Sequence, residues 1–352
     1  MICGVFILKK CGYVTLISGI GFFVLLFVFS EKFLEGLNSG LVNCVGIVIP
    51  SVFPFLIASS LAGSGEFPKK LKSLLNPVTR FLFRQPAGSI TAIFLGLFGG
   101  YLSGAKAVQS LCSKGALNKS QADRLMLFCV NAGVGFSVNA VGNAMLCSRE
   151  AGRVLLWSLC VSSLITGILS GFLPEDNNKN NNYSIKTPLP FSVAFVNGVT
   201  SASQSMLAAC GFVALFSGIG AVADAYIKNE TLRLTLSCLL EVTKGCADIT
   251  GKASLPVIAA VCAFGGICVH LQIFSMVREI NIPRFYLFRI IHALTAYIIC
   301  RIILYFHPIE RAVFLALSEN AEVFSFSAPA AISLLFLSFL LILDLDNIKK
   351  IC

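Results

Sequence analysis

Glu241, Lys244 and Asp248 fall in the stretch LSCLLEVTKGCADITGKASLP, within a chain that is otherwise strongly apolar. At spacings of i, i+3 and i+7 they share one face of a helix, where Glu241 can pair with Lys244. A charge at the centre of a bilayer costs at least about 2.5 kcal/mol. Such a patch therefore lies outside the hydrocarbon or lines a wet cavity, which makes it the strongest sign of chemistry in the sequence.

Other polar residues in apolar surroundings fall into three groups. The run RLMLFCVNAGVGFSVNAVGNAML carries Asn131, Asn139 and Asn143. In a continuous helix these share a stripe, turned into the bundle because amides facing lipid are costly. Interhelical hydrogen bonding and a site for a hydrogen-bonding solute both remain open. The stretch LGLFGGYLSGAKAVQSLCSKGAL combines Gly96, Gly99, Gly100 and Gly104 with Ser103 and Lys106. Each glycine disfavours a helix by about 1 kcal/mol relative to alanine. Tight packing with a snorkelling Lys106 is one reading; a re-entrant tip whose backbone meets a solute is the other. Finally, His270 and Gln272 follow a glycine pair, and Arg289 and His292 stand three apart in the next run. A histidine of this kind is usually structural, although two histidines and an arginine in neighbouring spans can hold an anion. No third ligand stands at metal spacing, so no metal and no cofactor are expected.

These residues need membrane elements to position them. The chain has 352 residues, 56% hydrophobic and 12% charged, against about 25% charged in soluble domains. Its 30 Phe and 29 Gly suit a lipid-facing surface and close helix packing. The net charge of +10 sits in short loops between apolar runs, which fits positive-inside bias better than nucleic-acid binding. The 14 Cys are scattered without CxxC and behave as small hydrophobes. With no HExxH or nucleophile-elbow motif, no enzyme is expected.

Along the chain, residues 1–35 hold an N-terminal transmembrane helix. Lys9 and Lys10 precede it and no cleavage site follows, so it is expected uncleaved with a cytoplasmic N-terminus. Residues 36–173 form a first membrane half, with a break near Pro50 and Pro54 and a basic, interface-lying connector over Lys69–Arg84. An Asn-rich linker, 174–190, separates it from a second half, 191–306. A C-terminal transmembrane helix and tail occupy 307–352. The expected fold is an all-α, polytopic helical membrane protein with about eight spans and two short elements, 88–106 and 234–252. The order of elements repeats between the halves. If the short elements are re-entrant, the halves are inverted, as in many transporters.

Six segments carry a resemblance. They are Gly-Tyr-x-Ser-Gly-Ala-Lys at Gly100–Lys106, Lys-Gly-x-Leu-x-x-x-x-Ala-x-Arg-Leu at Lys114–Leu125 and Asn-Ala-Gly at Asn131–Gly133. Leu-Glu-Val-Thr-x-Gly at Leu240–Gly245, Phe-Gly-Gly-x-x-Val-His-x-Gln at Phe264–Gln272 and Arg-x-x-His at Arg289–His292 complete the set. In this order, over about residues 40 to 306, the chain resembles sporulation integral membrane proteins of the YlbJ type, which belong with the nucleoside-recognition, or gate-domain, membrane proteins. Leu102, Lys244 and Val134 depart from the Pro, Asn and Pro that the family tends to have there, which bears on pore geometry. The resemblance implies two gate-like halves in the cell membrane of an endospore-former, in sporulating cells around the forespore. It also implies transport of a small polar, anionic solute such as dipicolinate, with nucleosides as an alternative. A homo-oligomer or other sporulation membrane proteins are the partners it suggests, besides the lipid bilayer. Set against this is a non-transporting scaffold whose polar residues only join helices.

Overall fold

A computed structural model describes residues 2–64, 69–174, 190–277 and 280–309. The linker at 175–189 and the C-terminal span expected within 307–352 lie outside the described residues. Among those described, every regular element is helical, and five helices are long and apolar enough to cross a membrane. The chain is therefore a polytopic helical membrane protein.

After α1 (Ile2–Val28), α2 (Ser30–Asn43) runs through a π-helical turn, Cys44–Val48, into α3 (Ile49–Ser64). The expected break near Pro50 and Pro54 is absent. The π turn frees the backbone around Pro50, and Pro54 is accommodated inside α3, so the whole remains one 35-residue helix. Its counterpart is α9 (Phe191–Tyr226), 36 residues long. The two pack antiparallel on small residues. Gly36 and Gly40 face Ser217 and neighbouring backbone, while Gly198, near the other end, faces Ser60 and Leu61.

Between and after these long helices, each half repeats the same order. In the first, α5 (Ile90–Phe94) extends through a π turn, Leu95–Gly99, and folds back as α6 (Tyr101–Ser113). An interrupted helix follows, made of α7 (Lys119–Met126), a non-helical stretch 127–133 and a π-helical segment Gly135–Met145, and then α8 (Arg149–Ser170). In the second, α10 (Glu230–Leu240) folds back as α11 (Val242–Ile249). Then come α12 (Leu255–Phe264) and α13 (Gly266–Met276), interrupted at Gly265, and α14 (Ile282–Phe306). The arms α10 and α11, of 11 and 8 residues, reach about 16 and 12 Å, far short of about 30 Å of hydrocarbon. Both short elements are hairpins.

The hairpins approach from opposite ends of α9. Lys106 of α6 bonds Ser201, whereas Lys244 of α11 bonds Asp224. On the Ser201 side lie Arg80, Arg84, Lys114, Lys119 and Arg124, with Asp123 paired to Arg284 at the start of α14. The opposite side mixes signs, as in Lys32–Glu35 and Lys252–Glu230. The excess of basic residues on the Ser201 side is the pattern that positive-inside bias gives a cytoplasmic side. On that side α4 (Lys69–Leu82) bends 99° from the following helix and leaves Leu74, Val78 and Phe81 exposed, as an interface-lying helix does. In α14, Leu287, Ile290, Leu294 and Ile298 face outward while Phe285, Arg289, His292 and Ala296 are buried, so its polar residues point into the bundle.

Candidate functional site

Four interruptions of the backbone meet at one place. The first hairpin turns at Gly100, whose φ of 102° suits glycine alone. Its partner, the stretch 127–133, presses against it. Gly133 faces the backbone of Phe98–Gly100, and Gly96 and Gly104 leave no room for a Cβ beside the carbonyl of Cys129. The second hairpin turns at Glu241, extended at φ −142° and ψ 120°. The break of α12–α13, with Gly265 and Gly266 both at positive φ, packs against it, Gly266 facing the backbone of Leu240–Val242.

Each of the two interrupted helices is also held by the other half. Tyr101, the first residue of α6, donates its hydroxyl to the carbonyl of Cys262 at 2.5 Å. Arg289 donates to the carbonyls of Val130 and Leu127, both at 2.5 Å, and to that of Ala263 at 3.4 Å, with its guanidinium over Phe285. An interrupted helix exposes carbonyls that hydrocarbon cannot satisfy; here the repeats satisfy each other's. Ser163 adds a bond to the carbonyl of Phe128 at 2.6 Å, and His270 one to that of Phe264 at 2.7 Å.

Beside the breaks at Gly100, Gly133 and Glu241 lies a cavity of about 70 Å³. Gly99–Leu102 and Gly133, Gly135 and Phe136 line it from the first half, and Glu241–Thr243, Val269 and Gln272 from the second. Val48, Val52 and Leu56 of the first long helix and Ala209 and Val213 of α9 close it. Ala209 and Val213 lie near the middle of α9, which puts the cavity at mid-membrane depth. Its polar side chains are Tyr101, Glu241, Thr243 and Gln272; among the described residues no cationic side chain lines it.

Of the twelve residues singled out from the sequence, two line this cavity. Glu241 does so at 1% exposure, with Oε1 accepting from the Thr243 N–H at 2.8 Å and Oε2 from that of Lys244 at 2.6 Å. Gln272 does so with Nε2 on the sulfur of Cys268. The expected Glu241–Lys244 pair is not made. Because the chain turns at Glu241, that residue caps α11, and Lys244 pairs instead with Asp224 at 2.8 Å and Asp248 at 2.5 Å. The amide stripe is also absent. Asn131 lies in the non-helical stretch, fully buried with neither side-chain atom hydrogen-bonded, while Asn143 is exposed and 3.5 Å from half-buried Asn139. A break between them destroys the shared helical face.

The remaining six sit outside the cavity. Ser103 donates to the Gly99 carbonyl, and Gly104 makes the close approach to Cys129. Lys106 is held by the carbonyl and hydroxyl of Ser201, both at 2.9 Å. His270 is boxed by Phe264, Phe285 and Tyr286; Arg289 holds carbonyls; His292 lies 3.4 Å from the Leu159 carbonyl. Among the described residues no cluster of His, Cys, Asp and Glu is built for a metal. Sequence reasoning missed Tyr101 and Thr243 as lining residues, although both stand inside motifs it picked out. It also missed Asp224, whose signal was an acid almost at the end of a long apolar run.

Interrupted helices and opposed hairpins among apolar spans define a polytopic helical membrane protein. Over 290 residues the chain is 21% identical to the sporulation integral membrane protein YlbJ of Bacillus subtilis (strain 168), covering 70% of this chain and 71% of that protein. No family model and no solved structure matches it. The chain is thus a membrane protein related to a sporulation integral membrane protein.

Proposed function

We propose that this protein is a carrier, not an enzyme, that moves a small polar solute through the cavity between its two halves. The observation that carries the reading is that three backbone interruptions, at Gly100, Gly133 and Glu241, line one hollow, with the fourth, at Gly265–Gly266, packed behind the Glu241 turn. Irregular backbone at this depth is tolerated where it is buried in protein or lines a cavity, and carriers use such breaks to meet solutes. The likeness to a sporulation integral membrane protein supports a role in sporulation, and the membrane around the forespore is where this reading places it.

Dipicolinate is the solute the resemblance suggests. The lining argues for its entering with counter-charge, because Lys106, His270, Arg289 and His292 all lie outside the cavity. Nucleosides, neutral and rich in hydrogen-bond donors, suit Glu241, Thr243 and Gln272 directly. The competing scaffold reading draws on the separate pairing of Lys106, Lys244 and Arg289, each with partners outside the hollow. Proteoliposome uptake of labelled dipicolinate and of labelled nucleosides, comparing the wild type with Glu241→Gln, separates the two. A carrier gives saturable uptake of one solute that falls at least about tenfold in the variant. A scaffold gives none of either.

A further inference from the structure

Lys106 and Lys244 occupy matching places. Each stands on the returning arm of its hairpin, just past the tip, and each reaches across to α9. Their partners on α9, Ser201 and Asp224, are 23 residues apart, about 34 Å along the axis, close to the hydrocarbon thickness. Ala209 and Val213, which face the cavity, lie between them. The two attachments therefore flank the hollow from opposite ends of α9.

They differ in chemistry. On the cytoplasmic side Lys106 meets, among the described residues, neutral oxygens alone, the carbonyl and hydroxyl of Ser201. On the outer side Lys244 lies between two carboxylates, Asp224 from α9 and Asp248 from its own helix. Asp248 also accepts from Ser237 of the other arm at 2.6 Å, so α10, α11 and α9 are joined in one cluster. The three charged side chains are only 19–31% exposed, which strengthens the ion pair relative to one on an open surface.

We infer that Lys106–Ser201 and Asp224–Lys244–Asp248 are the latches of two opposed gates, and that the ionic latch biases the resting cavity against opening outward. This rests on the carrier reading for its purpose, but not for its test. A cysteine placed at Leu102, a buried lining residue, reports cavity access without any solute. Right-side-out and inside-out membrane vesicles carrying full-length Leu102→Cys are treated with a membrane-impermeant maleimide. Label at residue 102 is then located by peptide mass spectrometry.

Adding Asp224→Asn is expected to raise outer-side labelling at least about fivefold and to lower cytoplasmic labelling. Adding Lys106→Met should shift access the other way by a smaller factor. The exchange Asp224→Lys with Lys244→Asp should return labelling towards the starting value, and its recovery guards against misfolding of the single variants. Equal labelling from both sides in every variant, or outer labelling unchanged by Asp224→Asn in protein that remains monodisperse, overturns the inference. Shifted labelling in a protein that carries no solute leaves the latches standing and removes the carrier reading instead.

Discussion

The two hairpin tips solve one problem by different means. Both must start a helix inside the membrane, where the first turn leaves N–H groups without intrahelical partners. The second hairpin places Glu241 at that point, and its carboxylate accepts two of them. The first uses Gly100, which has no side chain to offer, and no side chain caps α6. The second tip thus brings a carboxyl group bound by its own helix, and the first brings bare backbone. Inverted repeats need share only their backbone path; the side chains at equivalent points are free to divide the work between rigidity and recognition.

The largest expected effect comes from Arg289, because it serves both halves at once. Arg289→Met orphans the carbonyls of Leu127 and Val130, each costing about 1–3 kcal/mol. The variant should fail to give a monodisperse peak in detergent, while Arg289→Lys retains part of the yield. Next comes Gly104→Ala, where a methyl collides with the Cys129 carbonyl. Overpacking of this kind costs about 1–3 kcal/mol, visible as a lower melting temperature. Tyr101→Phe removes one cross-half hydrogen bond, about 1 kcal/mol, and its melting temperature should fall less than that of Gly104→Ala. If Tyr101→Phe proves the more damaging, the first tip depends on the other half more than on its own partner stretch.

At the small end stands the exposed Glu230–Lys252 pair, where the hydrogen bond and charge of Lys252 hold the Glu230 carboxyl below the usual carboxylate range. A depressed carboxylate contributes at pH values above its unfolded value and loses that contribution as pH falls through its folded one. Glu230→Gln should leave the melting temperature at pH 7 unchanged. A clear loss at pH 7 that vanishes at acidic pH would show the second hairpin to be fastened at its base as well as along α9.

Composition made the membrane and the helices legible, since apolar runs of spanning length have few alternatives in an all-helical chain. Element order also drew attention to two short stretches, one glycine-rich and one charged, at matching places in the chain, and both fold as hairpins. What escaped was where helices stop. Asn131, Asn139 and Asn143 follow helical spacing, yet the chain unwinds between the first two. The carbonyl this leaves bare is met from 159 residues away in sequence, by the Arg289 bond to Val130. Glu241 and Lys244 likewise have the spacing of a pair, but a turn at Glu241 gives its oxygens to the backbone. Spacing rules assume a continuous helix, and the functional places are those where continuity ends.

Arg289 also bears on how the chain is made. Leu127 and Val130 enter the bilayer long before their donor is synthesised, since Arg289 follows them by 162 and 159 residues. Until it arrives, the amino-terminal portion holds peptide oxygens with nothing to satisfy them. That portion, expressed by itself, should be handed to proteases, and should survive when the remainder is co-expressed as a separate polypeptide.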